Sequence, residues 1–399
     1  MRAPSTTLRP LLVRAYTRYA RSGASSRLRL YQFIPSLAAL GIEVDVCPLF
    51  SDVYVSDIQQ GTGRSAIDIS RSYLNRWSGR IRRGAAKSIG TSVRDCVSSV
   101  HPDVIWVEKE CFPWLPLFAE RFFLPQNIPF VLDFDDAVFH LYGQHQSAIV
   151  KGFLGEKLSL LMRMASVVVC GNRYLADYAT DAKAKHVEIL PTVVDCDRYV
   201  VKRTSDTKDV KVTDNLRAGD PSTPTLPRIG WIGQRSTAHF LQPLAGLLAD
   251  MLNHGIAQSV AIGLDAAAIG LPMASLPWSE EDEVAALQSL DIGIMPLNDG
   301  PFERGKCGYK LIQYMACGLP VVASPVGVNC ELVKLGVNGF LADSPQDWRE
   351  SLTTLCKDAA LRQQMGAAGR KLVESQFSLA AMAPKLANIF RELASPSQP

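Results

Sequence analysis

Two lysines, Lys306 and Lys310, lie at the predicted start of a helix in the segment GKCGYKLIQYMACG. Like charges four positions apart on a helix repel each other, and cations at a helix N-terminus oppose the helix dipole. A bound diphosphate would offset both effects, because the first N–H groups of a helix also bind anions. The segment therefore predicts either a diphosphate site or two solvated surface lysines.

Three more polar positions lie at predicted strand ends or on the helix after them. Gly233 allows a tight turn after RIGWI, and Arg235 then offers a forked phosphate donor or is an ordinary exposed arginine. Glu331 lies in the first turn of a later helix, where it either caps the helix or contacts ligand hydroxyls. Gln313 lies off the apolar stripe of its own helix and faces either a cleft or solvent.

Predicted strands and helices alternate along both halves of the chain. The strands read as continuous apolar runs, which is typical of parallel sheets covered on both faces. We therefore predict an α/β protein with two Rossmann-like, doubly wound parallel-sheet domains. The predicted segments are an N-terminal domain at 1–200, a polar linker or exposed insertion at 201–226, a C-terminal domain at 227–379, and a last helix with a frayed tail at 380–399.

Composition excludes several classes of protein. A net charge of +3 over 399 residues gives no argument for nucleic acid as a partner. The nine cysteines form no CxxC pair and no cluster with zinc spacing, which fits reduced thiols in the cytoplasm. No apolar run is long enough to span a membrane. No GxGxxG follows a predicted strand, which disfavours a dinucleotide dehydrogenase.

Residues 64–94 are strongly basic, with apolar residues interleaved at helical spacing. Arg80, Arg82 and Arg83 are the densest part of this segment. One interpretation is a peripheral helix that rests on an anionic membrane surface, at the inner face of the membrane. The other is a solvated helix whose apolar residues face the protein core.

Several of these segments together resemble the group 1 glycosyltransferases, which have the GT-B fold. The most specific stretch is DIGIMPL…KCGYKLIQYMACGLPVVASPVGVN…GVNGFLA. The segments SSRLRLYQFIPSLAALGIEV, GNRYLADYA, LPTVVDCDRY and RIGWIG agree with it. The resemblance covers most of the chain, roughly 11–200 and 227–385.

The resemblance implies a retaining transferase with two domains facing a cleft, acting in surface polysaccharide or glycoconjugate synthesis. A nucleotide-sugar donor would bind the C-terminal domain, with its diphosphate held by Arg235 and by Lys306 or Lys310. A glycan or lipid-linked acceptor would bind the N-terminal domain, where Ser26 and Arg27 lie in the SSRLR segment. The final helix would cross back to the first domain. No cofactor or metal is expected, because arginine, lysine and helix dipoles neutralise the diphosphate.

Two departures from the family pattern affect the catalytic residues. Many relatives carry two glutamates eight positions apart, where this sequence has Gly305 and Gln313. Gln313 can still bond to a ribose hydroxyl, and Glu303 is the candidate replacement for the first glutamate.

Many relatives also carry a histidine after the strand that here ends in LDFDDAVF. The loop instead has Asp133, Asp135 and Asp136, of which one is expected to orient or deprotonate the acceptor hydroxyl. The alternative is that these aspartates cap a helix or form a turn.

Two other functions remain open at this stage. The first is a GT-B-like nucleotide-sugar epimerase, which has less need of the basic segment and of the SSRLR loop. The second is a non-catalytic nucleotide-sugar-binding module, which the missing first glutamate makes conceivable. Product analysis with and without a glycan acceptor distinguishes an epimerase from a transferase, and binding without turnover identifies the module.

Overall fold

The computed structural model of the protein describes residues 9–52, 72–76, 101–201 and 226–395. The chain forms two compact units. Unit 1 consists of Met1–Thr192 together with Leu379–Pro399, and unit 2 consists of Val193–Ser378. Elements are numbered below in chain order among the described residues.

Unit 1 is built on a six-stranded parallel sheet in the order β2-β1-β3-β4-β5-β6. All strand pairs are parallel. Its central strands β3 and β4 are buried along their whole length, as predicted from their apolar runs. The strands are β1 Leu11–Tyr19, β2 Ile42–Phe50, β3 Val104–Glu108, β4 Phe130–Phe134, β5 Val167–Cys170 and β6 Val187–Ile189.

The helices of unit 1 cover this sheet. They are α1 Ala24–Arg29, α2 Ile34–Ala39, α3 Leu117–Phe123, α4 Phe139–Gly143, α5 Ala148–Leu154, α6 Lys157–Met164, α7 Arg173–Asp181 and α15 Leu379–Ala394. A 3-10 turn at Tyr31–Phe33 divides the predicted first helix into α1 and α2. Asn172 caps α7 as predicted, since its side chain accepts the N–H of Leu175.

The last helix, α15, packs on β1, β3 and α2 of unit 1. The Phe390 ring meets the buried Trp106 ring edge-on, with centroids 5.3 Å apart. Arg391 donates to the carbonyl oxygen of Leu40 at 2.7 Å. Unit 1 is therefore completed by a segment that follows all of unit 2 in the chain.

Unit 2 is a second six-stranded parallel sheet, in the order β12-β11-β10-β7-β8-β9. The strands are β7 Arg228–Ile232, β8 Gln258–Ile262, β9 Ala274–Leu276, β10 Ile292–Met295, β11 Val321–Ala323 and β12 Gly339–Leu341. The sequence did not indicate β9. This three-residue edge strand exposes two of its residues and so lacks the apolar run that marks the others.

The helices of unit 2 lie on both faces of its sheet. They are α8 Ala245–Asn253, α9 Glu283–Gln288, α10 Pro301–Arg304, α11 Tyr309–Ala316, α12 Asn329–Leu332, α13 Pro345–Lys357 and α14 Ala359–Gln376. The helix predicted after RIGWIG begins instead as a 3-10 helix, Arg235–Leu244, and becomes α-helical only at Ala245. Pro243 lies inside this stretch and lacks the N–H that an α-helical bond needs.

The boundary between the domains falls earlier than the predicted residue 200, because residues 193–200 pack into unit 2. Val194 and Tyr199 belong to its apolar core. Arg370 of α14 fixes the segment by donating to the carbonyl oxygens of Tyr199 and Cys196.

Residues 202–225, most of the predicted linker, lie outside the described residues, as do Arg80, Arg82 and Arg83. The described part of the basic segment is a helix at 72–76, in which Arg76 points inward and donates to the carbonyl oxygens of Cys111 and Cys47. Among the described residues, no helix combines the length and apolar character needed to cross a bilayer.

Candidate functional site

Unit 2 contains a pocket where β7 and β10 end, and both predicted lysines line it. The space inside it, counted together with open solvent, is about 260 Å³. The Lys310 ammonium lies 5.1 Å from the Trp231 ring centroid, and the Lys306 ammonium 4.9 Å from the Phe302 ring centroid. Both separations suit a cation–π contact. The lining residues are Trp231, Thr237, Phe240, Met295, Pro296, Leu297, Lys306 and Lys310.

The start of α11 is fixed by Gly308. This residue has φ +65°, and a Cβ there would lie 2.4 Å from Leu332 of α12, so only glycine fits. The helix begins one residue later, at Tyr309, which puts Lys310 in its first turn. Lys306 precedes the helix, so the two lysines do not share a helix face as the sequence suggested. They converge on the pocket from a loop and from a helix N-terminus.

Tyr314 of α11 ties the strands that carry the pocket together. Its hydroxyl accepts the N–H of Ile232 at 2.9 Å and donates to the carbonyl oxygen of Ile294 at 3.3 Å. These residues belong to β7 and β10, and Tyr314 is fully buried. The tyrosine ring also fills the space above Gly293, where a Cβ would clash with it.

Replacing Tyr314 with phenylalanine is expected to lower the free energy of unfolding by about 1–3 kcal/mol, because the buried N–H of Ile232 loses its acceptor. Urea unfolding measures the loss. Tyr178→Phe is the control: its hydroxyl bonds to Ser159 on a half-buried surface, where water replaces it. Equal losses for both variants would contradict the bridging role of Tyr314.

The other predicted donor residues lie around the helix starts of unit 2. Gly233 ends the β7 turn beneath the Trp231 ring, where a Cβ would lie 2.4 Å from a ring carbon. Arg235 is exposed at the start of the 3-10 helix and is not part of the pocket lining. Glu303 is half-buried in α10, and Glu331 is exposed in α12.

Gln313 does not face a ligand. It is 3% exposed, and its amide donates to the Tyr199 hydroxyl at 3.0 Å. That hydroxyl in turn donates to Glu283, which also accepts the indole N–H of Trp278 at 2.6 Å. The predicted bond from Gln313 to a ribose is therefore wrong for this conformation, because the side chain anchors residues 193–200 inside unit 2.

In unit 1, Asp133 is also structural. Its carboxylate is 1% exposed, accepts from the Arg29 guanidinium at 2.8 Å, and lies 3.4 Å from the Trp106 indole nitrogen. Burial raises the pKa of Asp133 more than Arg29 lowers it. A carboxylate enclosed in this way has no access to an acceptor hydroxyl, so the predicted catalytic role does not fit Asp133.

Asp135 and Asp136 instead belong to a cluster around Lys109, at the carboxyl end of β3. The Lys109 ammonium lies 2.7 Å from Asp135, 4.0 Å from Asp136 and 4.0 Å from Glu108. It also donates to the Ser25 hydroxyl at 2.8 Å. The Asp136 side chain is 32% exposed, against 13% for Asp135, so Asp136 is the carboxylate of this cluster that solvent reaches best.

The charges in this cluster shift one another's pKa values. Burial alone would lower the pKa of Lys109, but Asp135, Asp136 and Glu108 outweigh it, so the pKa is raised and the lysine stays charged. Burial alone would raise the pKa of Asp135, but Lys109 outweighs it and holds the pKa below its usual range. The Asp135 carboxylate is therefore ionised at neutral pH.

Lys109 reaches the cluster through an unusual backbone conformation. Its φ is +61°, which costs a residue with a side chain about 1 kcal/mol or more. The turn is held by a bond from the Lys109 N–H to the carbonyl oxygen of Asp133 at 2.8 Å.

Ser26 and Arg27 are enclosed within unit 1. Ser26 is fully buried, donates to Glu108 at 2.6 Å and accepts the N–H of Tyr19 at 3.0 Å. Arg27 is 7% exposed. The predicted acceptor-side contact is therefore wrong for Ser26, whose hydroxyl orients Glu108; its neighbour Ser25 lies within hydrogen-bond distance of Asp135, at 2.7 Å.

The overall fold defines the class of protein. HepE from Anabaena, crystallised in complex with UDP, superposes with a TM-score of 0.63 at 15% identity, covering 96% of this chain and 100% of that one. Two parallel six-stranded sheets with this likeness are the GT-B fold, as the sequence predicted.

A sequence match relates part of unit 2 to a family. Residues 276–372 match the family model of glycosyl transferases group 1. They run from the end of β9 into α14 and contain Lys306 and Lys310. This segment is therefore similar to the group 1 glycosyltransferases, in agreement with the resemblance found in the sequence.

Two curated enzymes share parts of the sequence. A GDP-mannose-dependent monoacylated alpha-(1-6)-phosphatidylinositol monomannoside mannosyltransferase of Corynebacterium glutamicum is 32% identical over 114 residues, which is 28% of this chain and 30% of that enzyme. A D-inositol 3-phosphate glycosyltransferase of Paenarthrobacter aurescens is 35% identical over 81 residues, 20% of this chain and 19% of that enzyme. The match spans less than a third of each enzyme's length.

Proposed function

We propose that the chain is a retaining glycosyltransferase that moves a sugar from a nucleotide-sugar donor to a glycan or lipid-linked acceptor. Surface polysaccharide or glycoconjugate synthesis is the proposed setting. The observation that carries the proposal is the convergence of Lys306 and Lys310 on the pocket at the ends of β7 and β10. In open parallel sheets, ligands bind beyond the carboxyl ends of the strands.

The donor diphosphate would bind at the start of α11. There the two ammonium groups and the helix dipole stabilise the charge that develops on the leaving phosphate. This arrangement supplies positive charge without a metal ion, so transfer is proposed to be metal-independent. The relatives support a nucleotide-sugar donor in different ways: HepE was crystallised with UDP, and the Corynebacterium glutamicum enzyme is named for GDP-mannose.

On unit 1, Asp136 is the proposed base for the acceptor hydroxyl. It is the most exposed carboxylate of the Lys109 cluster. The Lys109 ammonium lies 4.0 Å from it, and a positioned carboxylate can orient a hydroxyl and accept its proton, an effect of roughly 100–10,000-fold on rate. Asp136→Asn is the direct variant for this role, because it keeps the size of the side chain and removes the basic oxygen.

The donor site is tested by binding nucleotide sugars to the full chain. UDP-glucose and GDP-mannose are the first probes, and a donor at 100 times its Kd is expected to stabilise the protein by about 2.7 kcal/mol. Lys306→Ala combined with Lys310→Ala is expected to weaken binding at least about tenfold, because two charge-assisted contacts are lost. Thermal shift and isothermal titration calorimetry measure both.

The matched control is Lys371→Ala, an exposed lysine on α14 of the same unit. It is expected to bind the donor as the wild type does. Arg235→Ala is expected to weaken donor binding less than the double lysine variant does, because Arg235 is not among the pocket-lining residues. Wild-type affinity in the double lysine variant would mean that the donor binds elsewhere.

A non-catalytic nucleotide-sugar-binding module is the second candidate function. It is favoured by Gly305 and Gln313 at the family's glutamate positions, since Gln313 is engaged with Tyr199 in the interior. Donor binding without sugar transfer or donor hydrolysis, across a panel of glycan and lipid-linked acceptors, would support this alternative over the transferase.

A further inference from the structure

Helix α3 of unit 1 presents an outward face made of apolar and basic residues. Phe118 and Phe122, one helical turn apart, are 60% and 71% exposed, and Arg121 lies exposed between them. The only acid of the helix, Glu120, is fully buried and bonds to the N–H of Phe112. Large exposed apolar side chains grouped in this way mark an interaction surface.

Helix α5 repeats this composition. Ile149 and Phe153, again four positions apart, are 73% and 72% exposed, and Lys151 of the same helix is exposed as well. The helix AIVKGFL contains no acidic residue. The first acid after it, Glu156, lies outside both helices.

Both helices pack against the same helix, α6. Trp114 adds a 48% exposed ring that meets the Tyr142 ring with centroids 5.0 Å apart. Among the described residues, every exposed phenylalanine and tryptophan lies between Trp114 and Phe153. The apolar-basic face is defined here as Phe118, Arg121, Phe122, Ile149, Lys151 and Phe153.

We propose that the apolar-basic face docks on an anionic lipid surface. Helices that lie in a membrane interface combine phenylalanine and aliphatic anchors with lysine and arginine. Each basic residue near an anionic surface adds attraction, and an exposed acid would oppose it. Because α3 and α5 expose basic but no acidic residues, we expect a negatively charged partner. Because large apolar side chains are exposed on the same helices, we expect that partner to be a lipid interface.

This docking surface is defined without the predicted basic segment, whose Arg80, Arg82 and Arg83 lie outside the described residues. The proposal for this surface rests only on the exposed side chains of α3 and α5. Its consequence for substrate choice, that the acceptor is carried by a lipid, rests on the proposed function.

Vesicle flotation of the full chain tests the proposal. The wild type is expected to float with phosphatidylcholine vesicles that contain phosphatidylglycerol, and less with phosphatidylcholine alone. Phe122→Ser combined with Phe153→Ser is expected to lower the partition coefficient at least about tenfold. Arg121→Gln combined with Lys151→Gln is expected to lower it about tenfold at low salt and little at high salt.

Leu335→Ser combined with Val337→Ser is the matched control, since both are exposed apolar residues of unit 2. It is expected to float like the wild type. Equal flotation of the Phe122/Phe153 variant and the wild type, or flotation that is insensitive to phosphatidylglycerol, would overturn the proposal. So would a concentration-dependent dimer, seen by ultracentrifugation, that the phenylalanine substitutions abolish while flotation is absent.

The result of the flotation experiment does not depend on the donor site. The phenylalanine variants change exposed residues, so circular dichroism and thermal unfolding are expected to match the wild type. They are also expected to keep the wild-type thermal shift with nucleotide sugars. Flotation without a thermal shift from nucleotide sugars would contradict only the proposed function. A thermal shift from nucleotide sugars without flotation would contradict only the docking surface.

Discussion

Replacing Lys109 with methionine is expected to lower the free energy of unfolding by about 3–5 kcal/mol at pH 7. The substitution keeps much of the side-chain length but removes the charge that balances Asp135, Asp136 and Glu108. Glu108 and Asp135 would then be negative charges in the interior without their cation. Urea unfolding measures the loss, and the proposed transferase activity is expected to fall with it.

The loss caused by Lys109→Met is expected to shrink at acid pH. In the wild type, the lowered pKa of Asp135 contributes stability above the ordinary aspartate value of about 3.9, and this stability is lost as the pH falls through the folded pKa. In the variant, burial without the cation raises that pKa, so the buried carboxylate destabilises the fold most at neutral pH. Protonation in acid removes the penalty.

The control for this experiment is Lys151→Met, an exposed lysine of the same unit. Its effect on unfolding at pH 7 is expected to stay within about 0.5 kcal/mol. The same loss for Lys109→Met at pH 7 and at about pH 5 would contradict the charge-balancing role, because a packing defect does not titrate.

Restoring the family's glutamate at position 313 is expected to damage the protein. Gln313→Glu would place a second carboxylate on the Tyr199 hydroxyl, which already bonds to Glu283. A buried, uncompensated charge of this kind costs about 3–5 kcal/mol. Lower pH is expected to relieve the loss, because the buried carboxyl would take up a proton.

The donor response distinguishes this expectation from the family pattern. Gln313→Glu is expected to gain no affinity for nucleotide sugars in calorimetry, whereas a carboxylate that reaches a ribose would strengthen binding. Gln364→Glu, exposed on α14, controls for the added charge. Stronger donor binding in the Gln313 variant would show that position 313 faces the ligand after all.

The sequence predicted the parallel sheets well because their strands are covered on both faces. The continuous apolar runs of β3 and β4 are buried throughout. The edge strand β9 escaped detection because half-exposed edge residues produce no such run. The sequence also predicted that Lys306 and Lys310 could share a site, because both lie between a strand end and a helix start; in the structure both line one pocket.

Burial around α11 could not be read from the sequence. Its apolar stripe predicted one buried face, yet all residues from Leu311 to Ala316 are buried, since α14 covers the side that would otherwise face solvent. Gln313 was therefore predicted on the wrong surface.

The Lys109 cluster was missed for a different reason. It joins Ser25 and Asp135, which follow β1 and β4, with Glu108, the last residue of β3. Only the pairing of β1 with β3 and of β3 with β4 brings these residues together. The DFDD segment predicted the aspartates of the cluster, but nothing in the neighbouring sequence indicated that Lys109 is their cation.

The placement of α15 affects the order of folding on the ribosome. Unit 2 is continuous in the chain, so all its residues have been added once Ser378 has been synthesised. The face of unit 1 around Trp106 remains without its covering helix throughout that time, because Phe390 comes later. Unit 1 therefore cannot complete its fold until synthesis is almost over, and until then its uncovered apolar face is open to aggregation.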